Sequence, residues 1–104
     1  MRARILTSAD TDQVRRILRA DPVGNIFVSS RVEAGVLNPH TPGMLWGWPS
    51  AEIHSILHVG QNMVPVAADR VAIAAFAEVV GRRRSSQAIL GPAGQALPLW
   101  TALS

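Results

Sequence analysis

The sequence predicts an α/β (α+β) domain around a mixed sheet, and three observations carry that reading. First, Asn62 to Leu90 reads as strand, helix, strand: NMVPV, then AADRVAIAAFAEVVGRRR, then SSQAIL. Such a unit closes as a right-handed crossover between parallel strands. Second, Met44 to Trp48 and Ile53 to Val59 form two short strands across a turn at Pro49-Ser50, which adds antiparallel pairing. Third, 104 residues with 48% hydrophobic content suffice for one domain with one core.

Each element has its own signal. Arg2 to Thr7 reads as a first strand. Asp10 is placed to cap a helix, with Gln13 three residues on as in a capping box. Val14, Ile17 and Leu18 then share one face, and Arg15, Arg16 and Arg19 the other. Asp21-Pro22 stops this helix and starts the next, since proline suits a first helical position. The second helix runs through NIFVSSRVEA to Gly35, although Asn25 to Val28 also suits a strand. Asn38 to Gly43, with two prolines and a glycine, reads as loop. Gly60-Gln61 is a turn into the strand Asn62–Val66. Val71, Ala72, Ala75, Phe76, Val79 and Val80 give the crossover helix an apolar stripe, and Gly81 ends it. Ser86 to Leu90 is a further strand. Gly91-Pro92 opens a last helix toward Trp100, in which Pro98 implies a kink or a later start. The predicted order is β-α-α-β-β-β-α-β-α.

Composition removes several function classes. The absence of cysteine excludes disulfides, thiol catalysis and cysteine-bound metals. No run of 18 apolar residues suggests a membrane span, and MRARILTSAD lacks the apolar centre of a signal peptide, so a cytoplasmic protein is expected. All ten basic residues are arginine, which lifts the pI to 11.4, while the formal charge is only +3. That balance argues little for nucleic acid.

The turn into the crossover helix is where many such folds hold a phosphate on backbone N–H groups. Here it is Ala67, Ala68, Asp69 and Arg70, without glycine, although close approach of a backbone to a pyrophosphate usually needs one. Asp69 reads as the helix N-cap, competing for those N–H groups and opposing an anion. Arg70 is the one candidate cofactor-binding residue, as a source of attraction for phosphate.

The element order, together with DPVGNIFVSSRVEAGVL, LWGW, NMVPV and ILGPAGQALPLW, resembles a degenerate GNAT-like domain. Domains of this kind precede the catalytic domain in bacterial two-domain GNAT N-acetyltransferases. The resemblance runs from about Asp21 to Trp100. It implies a GNAT fold lacking its last two strands, and a chain (1–104) that is the N-terminal domain of a longer, acetyl-CoA-dependent enzyme. The GNAT cofactor signature, a glutamine or arginine followed by glycines, would fall at Val66 to Val71 and is absent. No catalytic residue is carried over. The expected role is accessory, against a downstream catalytic GNAT domain or a second copy of the chain. A second reading is a domain that binds acetyl-CoA in a non-standard way and is itself an N-acetyltransferase. A third is a weak nucleic-acid-binding module using Arg82, Arg83 and Arg84.

The remaining candidates weigh as structure. Pro65 removes a ladder donor, which fits an edge, a bulge or the splayed strand of a GNAT cleft. His54 and His58 lie on one strand face about 13 Å apart at a rise of about 3.3 Å per residue, too far for one metal ion. His40 belongs to a loop and supplies no third ligand. Arg82 to Arg84 complement the helix C-terminus, with no aromatic residues interleaved for base stacking. Trp46 and Trp48 share one strand face, an apolar patch that a partner domain would cover, and Trp100 is a core or interface residue. The seven carboxylates are scattered, and no nucleophile motif or P-loop is present. The strand at Ser86 to Leu90 lacks the strands that usually follow it in a GNAT fold and is expected to leave an open edge.

Overall fold

A computed structural model describes residues 2–38, 43–81 and 88–103. Its elements are β1 (Arg4–Ile5), α1 (Thr11–Arg19), α2 (Ile26–Glu33), β2 (Met44–Trp48), β3 (Ser55–Val59), β4 (Asn62–Val66), α3 (Arg70–Val80), β5 (Ala88–Ile89) and α4 (Ala93–Leu103). This is the predicted order. The five strands lie in the sheet in chain order, β1 to β4 antiparallel and β4–β5 parallel. The sheet is therefore mixed, and the domain is α+β.

Strand alternation divides the core into two layers. Leu45, Ile56, Val64 and Val66 point to one face and pack with Val14 and Leu18 of α1 and Val28 and Val32 of α2. Leu57 and Met63 point to the other face and pack with Ala72, Ile73, Phe76 and Val80 of α3 and Leu99 of α4. Phe76 and Leu99 are fully buried. Each is worth roughly 2–3 kcal/mol over an exposed side chain.

Several sequence expectations change in detail. Asp10 does not cap α1 with Gln13. Thr7 caps a 3-10 turn at Ser8–Asp10, and Asp10 closes that box by accepting the Thr7 N–H at 2.9 Å. Gln13 Oε1 instead accepts the Ile53 N–H at 3.2 Å, tying α1 to the segment before β3. Pro22 is not the start of α2. Asp21 Oδ1 accepts the Gly24 N–H at 3.1 Å, which holds a turn there and delays the helix to Ile26. In α3 the stripe rotates: Val71 is exposed and Ile73 is buried in its place. α4 spans Ala93–Leu103 with Pro98 inside it, so the helix has no later start. A proline there costs on the order of 3 kcal/mol. Anchors on both sides, Gln95 bound to Ala68 and the buried Leu99, offset that cost.

Residues 39–42, including His40, and 82–87, including Arg82, Arg83, Arg84 and Ser86, lie outside the described residues. Trp46 and Trp48 do share a face, but α3's own cluster half-buries them, so that patch is partly covered from within the chain. No helix among the described residues is long and apolar enough to cross a membrane.

Candidate functional site

The turn between β4 and α3 is the place where many strand–helix–strand folds hold a phosphate, and where the sequence offers Arg70 alone. The parallel ladder reaches it incompletely. Leu90 donates its N–H to the Met63 carbonyl at 2.8 Å. Pro65, two residues on, presents the same side of β4 to β5 and has no N–H with which to continue. Gly91 follows at φ +133°, and a Cβ there would stand 3.7 Å from Pro65 Cδ. The proline thus ends the ladder, and β4 and β5 stop pairing before β4 ends. The space beyond is where α4 begins.

The turn itself is closed by the chain's own side chains. Gln95, in the first turn of α4, accepts the Ala68 N–H on Oε1 at 2.9 Å. Asp69 caps α3 and accepts the Ala72 N–H on Oδ1 at 2.8 Å. Ser55 donates its hydroxyl to the Ala67 carbonyl at 2.7 Å. Ala67 has φ +53°, the left-handed conformation that glycine takes without cost. The backbone therefore adopts the bend of a glycine turn, while the side chains fill it.

A pyrophosphate does not fit this arrangement. It would have to displace an amide oxygen from Ala68 and would meet the Asp69 carboxylate at Ala72. Asp69 is placed as the sequence implies, as an N-cap. Arg70 is exposed at the first position of α3 and forms no ion pair among the described residues. It lines a shallow groove of about 470 Å³ between α3 and α4 with Ile73, Ala74, Leu97, Pro98 and Thr101. That groove is apolar apart from the guanidinium and the Thr101 hydroxyl. Sequence reasoning missed Gln95, because a glutamine 27 residues from its partner leaves no local signal.

It also missed two other polar centres. Arg4 forms a two-toothed pair with Asp10, at 2.9 and 2.7 Å, and its Nε donates to the Ser50 carbonyl at 2.6 Å. Asp10 is buried, and the hydrogen bond from Arg4, helped by the Thr7 N–H, holds its carboxyl below the usual range despite desolvation. The histidines separate. His54 is exposed ahead of β3, while His58 is buried on the α2 face of the sheet. Burial pushes the His58 imidazole below its ordinary pKa, the Asn62 carbonyl opposing and the Arg31 charge reinforcing the shift. Among the described residues no three His, Cys, Asp or Glu side chains gather to hold a metal.

No curated protein and no solved structure matches this chain. A family match covers residues 43–104, from the start of β2 through α4, which is more than half of the length. On that match the chain belongs to the family described as Domain of unknown function (DUF4081).

Proposed function

We propose that the chain is an accessory, non-catalytic domain of an acetyl-CoA-dependent GNAT N-acetyltransferase of the cytoplasm, packing against or regulating the catalytic domain. The observation that carries this reading is the self-occupied turn: Gln95 and Asp69 take the Ala68 and Ala72 N–H groups that a cofactor's phosphates would need. The element order and the ladder ended by Pro65 support a GNAT-like frame. The end position of β5 in the sheet, with no further strand beside it among the described residues, supports a partner, because an open strand edge favours a further strand from a catalytic domain or a second copy.

Calorimetry with acetyl-CoA tests the non-catalytic part, and no saturable heat is expected. Saturable heat at micromolar affinity that disappears in Arg70→Ala would replace this reading with that of a ligand-binding acetyltransferase domain. Sedimentation velocity tests the accessory part. The chain is expected to self-associate or to co-sediment with a GNAT catalytic domain, and a monomer indifferent to that domain would count against it.

A further inference from the structure

A second hollow lies at the opposite end of β4 from the α3 turn. It has a volume of about 310 Å³ and is lined by Phe27 and Arg31 of α2, Gly43, His58, and the hairpin residues Gly60, Gln61 and Asn62. The lining is unusual in its chemistry. His58 is only 4% exposed, yet it borders open space. Its Nδ1 lies 3.3 Å from the Asn62 carbonyl oxygen. A carbonyl can only accept, so Nδ1 carries the hydrogen and Nε2 keeps its lone pair. Desolvation favours this neutral ring.

Two glycines make the room. A Cβ on either Gly43 or Gly60 would stand 3.6 Å from His58 Nε2, and the one on Gly60 would come within 3.0 Å of Cε1. Gly43 has φ +86°, which L side chains rarely adopt. The Phe27 ring meets the imidazole edge-on at 5.3 Å and fixes its plane. The Arg31 guanidinium sits 5.9 Å from the centre of the same ring, at the limit of a cation–π contact. His58, Arg31 and Phe27 thus line one small space.

We propose that this hollow is a binding site for a small hydroxycarboxylate, its carboxylate on Arg31 and its hydroxyl donating to His58 Nε2. A guanidinium matches a carboxylate in two parallel hydrogen bonds. A neutral imidazole acceptor requires a donor on the ligand, which the hydroxyl supplies. The volume is near the lower end for ligand pockets, roughly 300–1,000 Å³, and favours a few heavy atoms over a nucleotide.

Lactate and propionate, which differ by that hydroxyl alone, are the probes. Long-range proton–nitrogen NMR of the full chain at about pH 7.5, above the ordinary imidazole range, reads His58 Nε2 directly. Lactate is expected to shift it saturably with a millimolar dissociation constant, and propionate to bind about tenfold more weakly for want of one hydrogen bond. Arg31→Gln, at an exposed position, should weaken lactate by at least about tenfold with an unchanged melting profile. Absence of a saturable shift with lactate, equal binding of the two acids, or undiminished binding in Arg31→Gln would each overturn the assignment.

Discussion

Gln95 Oε1 accepts the Ala68 N–H at 2.9 Å, joining the first turn of α4 to the turn that opens α3. The bond spans 27 positions of sequence and occupies the backbone group at the mouth of the β4–β5 gap. It makes α4 a structural stopper over the turn that opens α3.

Gln95→Ala should therefore destabilise the chain by about 1–2 kcal/mol, because the part-buried Ala68 N–H loses its acceptor. Urea unfolding measures the loss, and hydrogen exchange locates it. Ala68 should exchange faster in the variant, while amides of β2 and β3 change only with global stability. An unaltered Ala68 rate would mean that the side chain does not hold the turn.

Asp10→Asn should cost about 2–3 kcal/mol at neutral pH, as charged hydrogen bonds to Arg4 are lost. The folded-state pKa of Asp10 is depressed. Its contribution is therefore complete above the unfolded carboxylate value of about 3.9 and disappears as pH falls through the lower folded value. The stability gap between wild type and variant, followed by chemical unfolding from neutral to acidic pH, should close only in that acid window.

His58 works in a different window. Its folded pKa lies below the ordinary 6.5, so the unfolded chain binds the proton more readily. Stability should be full above 6.5 and fall as pH drops through that value toward the folded one. The slope is at most about 1.4 kcal/mol per pH unit for one proton. His58→Gln should remove this segment of the pH profile in thermal melts. A slope unchanged by the substitution would place its origin elsewhere.

Gly47→Ala tests packing on the α1–α2 face. A Cβ there would stand 2.5 Å from Leu6 Cδ2 and 3.1 Å from Ile53 Cγ1. Both neighbours are buried, so neither side chain can swing into open space. Overpacking of this kind costs about 1–3 kcal/mol, readable as a lower urea midpoint with an unchanged slope. A neutral result would show that Leu6 has room to move.

The strands β2 and β4 were legible to the residue, since each is a short apolar run between turn residues, and so was the cap Asp69 on α3. Periodicity reports the face of a strand or helix, and caps act within a few positions of the chain. The start of α2 was less legible, because Asp21 and Pro22 suit a helix entry and a turn equally. A hydrogen bond to Gly24 selected the turn.

By itself the sequence determined the order of elements, the mixed sheet and the lack of a glycine phosphate loop, all of which follow from local pattern. Only the tertiary structure decided what fills the turn, where Asp10 finds Arg4, and that His58 lies buried beside Arg31 while His54 lies in solvent. The physical reason is distance along the chain. Gln95 and Ala68, Gln13 and Ile53, and Phe27 and His58 meet because two helical layers close on opposite faces of one sheet. No residue in any of these pairs carries a sign of its partner until the core has formed.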